Sequence, residues 1–328
     1  MFRRVATALI AVTGVQLLST LFASAQDAPW PSRTIQLIVP LPAGSAADTV
    51  ARLIGAKLSE RLGQSVVVVN RDGASGAVGT REIAKAAPDG YTLGVATSTT
   101  LVTAPILNPG VGYDPRKEFT PISMVGYSPY VLVTHPGVPA KTVEDFVALA
   151  RSKPGALTYT SVGEASLARL AAELLASMSG IRIVQVPYKS STQAIIDVLA
   201  GRVDSQFGIL TTTHQYIREG KLNALGVTTL KRVPEFPEIP TISESGLSGY
   251  EASLWLGIIG PARLPEPVAA RLNAAINEIL AQPATRAALL AQAIVTDAGS
   301  PASFASYLLG DFGKWTELAK KARLVDGP

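Results

Sequence analysis

Cysteine is absent from all 328 residues. Neither a disulfide nor lipid attachment at a thiol is open to this chain, so its stability has to come from a packed core. Histidine is nearly absent. His135 precedes Pro136 at a strand end and His214 lies in a short helical stretch, with no cysteine near either and no His-x₃-His pair. Metal-ligand spacing is therefore missing. No Gly-x-Ser-x-Gly elbow, no Gly-x-Gly-x-x-Gly after a strand and no Gly-x₄-Gly-Lys-Ser/Thr loop occurs, which removes the nucleophile and nucleotide sites those motifs build. Asp72 beside the 73–79 glycines and Asp204 near Phe207 are the remaining acid candidates, and both read more simply as turn and strand-end residues. The expectation is a chain that is not an enzyme and needs no cofactor. Runs of lysine and arginine are missing as well. The formal charge is +4, and Arg3 and Arg4 supply two of those charges inside a segment expected to be removed. What remains is too weak and dispersed for nucleic acid.

What the chain has is apolar residues: 47% hydrophobic against 16% charged. That supports a sizeable folded core and argues against disorder. Residues 1–25 read as a signal peptide. Arg3 and Arg4 open it, residues 5–22 are largely apolar, and Ala23-Ser24-Ala25 fits the small-x-small cleavage rule, with Gln26 the first mature residue. An uncleaved anchor is the competing reading, since the stretch approaches spanning length. Cleavage suits the polar interruptions better and places the mature chain in the periplasm. No other segment is long and apolar enough to span a bilayer.

The organising stretch is 34–48. An apolar strand, 35–39, is broken by Pro40 and Pro42 and empties into Ala43, Gly44, Ser45, Ala46 and Ala47, with Asp48 opening an amphipathic run to 62. The first amides of a helix have no internal partner and carry partial positive charge, so a small-residue loop at a helix start can receive an anion. The plainer reading is a βα turn capped by Asp48. Residues 65–69 (SVVVV) read as a strand buried on both faces. A short helix over 81–87 and a strand over 91–96 follow, the latter ending in Thr97, Ser98, Thr99 and Thr100. Strand–helix alternation at this spacing predicts a parallel sheet whose ligands sit beyond the carboxyl ends of the strands.

Proline-punctuated residues 105–121 lead to strands at 122–125 and 130–133, and a second βα series begins. Thr142 caps a helix over 143–151 with Asp145 in capping-box position. A strand at 157–160 runs into Ser161-Val162-Gly163-Glu164-Ala165. Ser166 then caps a helix to Ser179 with Leu167, Leu170, Leu174 and Met178 as its core stripe. Strand 181–186, helix 193–200, strand 203–207, helix 212–219 and strand 222–228 follow, then a loop over 231–251. Strand 253–259, helix 265–280, helix 284–293, strand 294–296 and helix 301–320 close the chain. The pattern is a discontinuous first domain, 26–128 plus 253–328, with an inserted second domain, 129–252. The loop 161–166 repeats the opening loop, and two facing helix starts could clamp one anion.

The stretches IVPLPAGSAADTVARL, VVVVNRDGASGAVGT, AAPDGYTLGVATS, LTYTSVGEASLARLAAELL, VPYKSSTQAIIDVLAGRVDSQF and PEIPTISESGLSGYEAS resemble, in order and over nearly the whole mature chain, the periplasmic receptors of the tripartite tricarboxylate transporter family, the Bug-type receptors. The resemblance implies an α/β two-domain periplasmic binding protein, a Venus flytrap of type II-like form, with a ligand cleft between the domains. It implies a monomer that captures a small organic carboxylate and delivers it to integral-membrane transporter subunits. A ligand-presenting sensor subunit for a membrane signalling protein is the alternative. By position it implies a first ligand loop of Ala43, Gly44, Ser45, Ala46 and Asp48, joined by Thr97 and Ser98. It implies a second loop of Ser161, Gly163, Ala165 and Ser166, joined by Lys189 in the 187–191 loop and by Asp204 and Phe207. Two departures stand out. Ser45 replaces the second glycine of the family's first loop. In its second loop, Ser-x-Gly-Asn-Gly-Ser/Thr followed by histidine, Glu164 stands for the asparagine, Ala165 for the glycine and Arg169 for the histidine. Glu164 would repel a carboxylate set against it. Pairing with Arg169, meeting a cationic or hydroxyl group of the ligand, and pointing to solvent all stay open for it.

Overall fold

The computed structural model describes residues 30–162, 166–188 and 190–321. The expected signal segment lies outside the described residues, as do Gly163, Glu164, Ala165 and Lys189. The chain runs β1 (Ile35–Val39), α1 (Ala46–Leu62), β2 (Val66–Asn70), α2 (Ala77–Lys85), β3 (Thr92–Thr97) and, after a π turn at Thr99–Thr103, the short α3 (Ala104–Leu107). Then come β4 (Phe119–Thr134), α4 (Val143–Ser152), β5 (Thr158–Val162), α5 (Leu167–Ser179), β6 (Val184–Tyr188), α6 (Ser191–Leu199), β7 (Ser205–Ile209), α7 (Leu210–Arg218) and β8 (Asn223–Val227). β9 (Ser253–Pro261), α8 (Glu266–Ala281), α9 (Pro283–Leu290), β10 (Val295–Thr296) and α10 (Pro301–Lys321) complete it.

The strand order is β2-β1-β3-β9-β4-β7-β5-β6, with β8 and β10 also paired to β4. β1 lies parallel between β2 and β3, and β5 lies parallel between β6 and β7. These are the two βα series expected from the alternation, and each makes one lobe. β4 serves both. Its first part pairs antiparallel with β9, and its last residues pair with β7 and β8. The two strands expected at 122–125 and 130–133 are thus one 16-residue strand. The strand contains Pro121 and Pro129. The strand absorbs them through register shifts around 121–126, with Pro129 still opposite Ser253.

Three other expectations change. The valine run of β2 is not buried on both faces: β2 is the sheet edge and Val67 is 46% exposed. Its β-branched residues reflect strand preference, not enclosure. α2 starts at Ala77 instead of 81, because the glycine before it and the one in its first turn serve close packing. Gly76 holds φ +91°, and a Cβ there would lie 2.6 Å from Thr100 Cγ2. One on Gly79 would lie 2.6 Å from the Arg71 carbonyl. Met178 is 39% exposed, so the stripe of α5 ends at Leu174 and Leu175. Elsewhere local rules hold. Thr142 and Asp145 form the reciprocal capping box of α4, and Gly63 and Gly180 close α1 and α5 in the left-handed conformation. His135 accepts a hydrogen bond from the Gly137 amide, and His214 lies against Phe236 with Glu238 in reach.

Candidate functional site

In the second lobe, β5, β6 and β7 run parallel, so their carboxyl ends and the helices that follow share one edge of the sheet. α5 begins after Ser166, whose hydroxyl accepts the Arg169 amide. α6 begins after Ser190, whose hydroxyl accepts that of Gln193. α7 follows β7 directly and has no side-chain cap at Ile209. The beginnings of all three helices meet at one cavity of about 520 Å³. Its floor is Thr160, Ser161, Gln206 and Phe207, and its rim carries Ser166, Ser191, Thr192, Thr212 and Thr213. Tyr130, Ile195 and Tyr216 supply apolar wall.

No Asp, Glu, Lys, Arg or His is among the described residues that line it. Positive potential there comes from backbone: each helix start contributes roughly half an elementary charge, through amides that lack an intrahelical acceptor. Burial pushes the Tyr130 phenol up, so it stays neutral. Ser161 is buried and its oxygen accepts from Gln185 Nε2 at 2.7 Å, leaving its own proton to donate. Two buried oxygens of the floor, Thr160 Oγ1 and Gln206 Oε1, have no hydrogen-bond partner among the described residues.

The structure distributes the expected site residues unevenly. Ser161, Ser166 and Phe207 line the cavity. Arg169 lies in the first turn of α5, close enough to Tyr159 to oppose the rise that burial and Glu173 give that phenol. Asp204 sits at the other end of the sheet, before β7. Its carboxylate accepts the Thr158 amide at 2.8 Å and the Thr158 hydroxyl at 2.7 Å, tying the starts of β5 and β7 together. It is a strand-end tie and does not reach the cavity.

In the first lobe Ala43, Gly44 and Ala46 are exposed at the end of β1. The cap of α1 is Ser45, not Asp48: the Ser45 hydroxyl accepts the Asp48 amide at 3.2 Å. Asp48 is buried and its carboxylate is fully occupied. It accepts from the Gly44 amide, Arg52 and Asn70, and Asn70 also donates to the Leu41 carbonyl. The Arg52 guanidinium in the first place holds the Asp48 carboxyl below its usual range. Asp48 therefore shapes the loop and uses its Gly44 amide, which leaves the Ala46 and Ala47 amides as the helix-start donors. Thr97 and Ser98 are buried, and Thr97 closes on Thr100 through reciprocal hydrogen bonds. None of these first-lobe residues lines the second-lobe cavity.

Sequence reasoning missed Thr160, Gln206, Tyr130 and Tyr216. The one available signal was Gln206, a lone amide between Ser205 and Phe207 in β7. Its meaning depends on Thr160 lying beside it in the sheet register.

Comparison with known proteins gives the geometry its context. The model of the "Tripartite tricarboxylate transporter family receptor" matches residues 50–324. BugT of Bordetella pertussis is 33% identical over 317 residues, covering 96% of this chain and 97% of its own. A solved R. palustris protein with adipate is 33% identical, with a TM-score of 0.68 over 89% of this chain and 98% of its own. A TctC solute-binding protein from Polaromonas, solved without ligand, is 26% identical, with a TM-score of 0.83 over 89% of this chain and 99% of its own.

Proposed function

Because the chain belongs to the tripartite tricarboxylate transporter receptor family and has the two-lobed α/β fold of periplasmic binding proteins, we propose that it captures a small carboxylate between its lobes and delivers it to integral-membrane transporter subunits. The observation that carries this reading is the convergence of the α5, α6 and α7 starts on a cavity whose described lining holds no formal charge. Such a site attracts an anion with fixed backbone dipoles. The α1 start, with its free Ala46 and Ala47 amides, is the matching element of the other lobe.

A micromolar complex needs about 8 kcal/mol. Charge-assisted hydrogen bonds contribute about 1.5–3 kcal/mol each, so three or four amide or hydroxyl contacts to one carboxylate suffice without an arginine clamp. The lobes divide near 128 and 252, where β4 and the 228–253 segment cross. Thr228 is fully buried there and exchanges hydrogen bonds with both the amide and the carbonyl of Tyr130. The likeness to the Polaromonas protein solved without ligand is higher, at lower identity, than to the adipate-bound one, which supports reading the described conformation as an unliganded one. Removal of residues 1–25 on export and docking of the closed form on the membrane subunits complete the reading.

The test is a thermal-shift screen over mono- and dicarboxylates, aromatic acids and amino acids, followed by X-ray scattering with any hit. At least one carboxylate raises the melting temperature and lowers the radius of gyration. A panel in which no carboxylate moves either quantity refutes the proposal.

A further inference from the structure

We infer that the second-lobe cavity is built for an aromatic monocarboxylate bearing a hydroxyl, with Gln206 and Thr160 as the residues that read the hydroxyl. The inference rests on the carboxylate-receptor reading above and narrows its substrate class.

Gln206 on β7 and Thr160 on β5 are register partners in adjacent parallel strands. Gln206 is 7% exposed and Thr160 1%, both line the cavity, and the Gln206 carboxamide oxygen and the Thr160 hydroxyl lack a hydrogen-bond partner among the described residues. Buried polar atoms are nearly always paired, so two neighbouring exceptions on one cavity floor mark a place where a ligand completes the bonding. The kind of group is set by the pair. A carbonyl oxygen needs a donor, and a threonine hydroxyl can give or take. Together they suit a group that donates and accepts at once. A hydroxyl does both. A carboxylate only accepts, so it could pair with Gln206 only through Nε2 and would leave the carboxamide oxygen unsatisfied.

The rest of the lining agrees. The three helix starts together supply about one and a half elementary charges, which matches one carboxylate better than two. A second carboxylate would find no cation among the described liners. The wall between is apolar and partly aromatic, from Tyr130, Ile195, Phe207 and Tyr216. Rings favour edge-on or offset contact with such walls. The cavity is of ordinary size for a small organic ligand.

The experiment is calorimetric titration of the mature chain with benzoate, 3-hydroxybenzoate, 4-hydroxybenzoate, terephthalate and adipate, for wild type, Gln206→Leu and Thr160→Val. One hydroxybenzoate binds wild type about tenfold or more tightly than benzoate, as expected when a buried acceptor is satisfied by one ligand and stranded by the other. Terephthalate binds more weakly than either. In Gln206→Leu the hydroxybenzoate-to-benzoate ratio falls to about twofold or less. Thr160→Val, which is nearly isosteric, lowers the same ratio and carries the test should Gln206→Leu not fold by circular dichroism. If terephthalate or adipate is the tightest ligand, or if both variants keep the hydroxyl preference, the inference is wrong while the receptor reading stands. If none of the five binds wild type and the wider carboxylate screen is also silent, both fall.

Discussion

Replacing Asp48 by asparagine isolates what shapes the first loop. Every group that touches this carboxylate is a donor. Oδ2 accepts the Gly44 amide at 2.9 Å and Arg52 Nε at 3.0 Å. Oδ1 accepts Asn70 Nδ2 at 3.0 Å and Arg52 Nη2 at 3.0 Å. Asparagine keeps one acceptor and turns the other into an NH₂ facing two donors. The Arg52 side chain is 56% exposed, so its pair with Asp48 is screened and contributes about 0–1 kcal/mol. The Gly44 and Asn70 bonds are sheltered and end on a charged acceptor, so their loss with a donor–donor contact amounts to about 2–4 kcal/mol in total. At roughly 2 °C per kcal/mol for a chain this long, the variant melts about 4–8 °C lower near neutral pH.

The acid limb gives a second reading of the same group. The folded pKa of Asp48 is lowered, chiefly by Arg52, and unfolded aspartate titrates near about 3.9. The stabilisation is therefore complete above that value and is lost as pH falls through the lower folded pKa. Scanning calorimetry from pH 7 downward should show a constant gap between wild type and Asp48→Asn until about pH 4, then a narrowing one. No gap at neutral pH, or a gap that persists undiminished well below pH 4, would refute the network as described.

Three further outcomes can be checked by urea unfolding. Thr142→Ala removes one half of the α4 capping box and lowers stability by about 1 kcal/mol. Gly76→Ala places a Cβ at φ +91°, 2.6 Å from Thr100 Cγ2 and 3.0 Å from the Pro40 carbonyl, and costs about 2–4 kcal/mol; an unchanged midpoint would show that the α2 approach is looser than drawn. Thr228→Val keeps the shape but removes the Oγ1 acceptor of the Tyr130 amide, with a loss of about 1–3 kcal/mol, and a neutral result would remove that bond from the lobe crossing.

Local rules made most elements readable from the chain: the 142–145 box, glycine stops at 63 and 180, and βα alternation. The errors have distinct causes. Ser45-Ala-Ala-Asp48 has the spacing of a capping box, but the Asp48 carboxylate turns to the Gly44 amide and to Arg52 instead of the Ser45 amide. The Asp48 carboxylate is also engaged by Asn70, 22 positions away, a partner that local spacing does not reveal. β4 reads as two strands, 122–125 and 130–133, although it runs unbroken through Pro129. Passing between lobes is what lets one strand carry Pro129. The valines of β2 gave no sign of lying at an edge, since edge position is a property of the sheet order. The cavity floor was least legible. Thr160 and Gln206 are 46 positions apart and are ordinary residues until the β5–β7 register sets them side by side.

The packing behind the crossing limits how the lobes can move in the proposed cycle. Trp255 of β9 stacks edge-on against Phe304 of α10 and donates its Nε1 to Asp311 at 2.8 Å. Tyr307 and Lys314 of α10 both hold Glu251. The same apolar cluster continues without a break through Leu308, Trp315 and Leu318 to Leu170, Leu174 and Phe146 of the second lobe. Tyr250 fixes that side further by donating to the Ala171 carbonyl of α5 at 2.9 Å. A close-packed interior does not stretch, so the lobes cannot separate along this face without giving up buried contacts. A hinge motion needs only a few residues that take up backbone rotation. The pivot must then lie against the α10 cluster, with the rotation taken up where β4 and the 228–252 segment cross, and displacement must grow with distance from it. The helix starts and the exposed 43–46 loop can move together only by rotation about that packed edge. Closure therefore adds ligand contacts at the cleft while leaving the Trp255–Asp311 and Tyr250–Ala171 bonds intact, which lets a few hydrogen bonds to a small anion drive it.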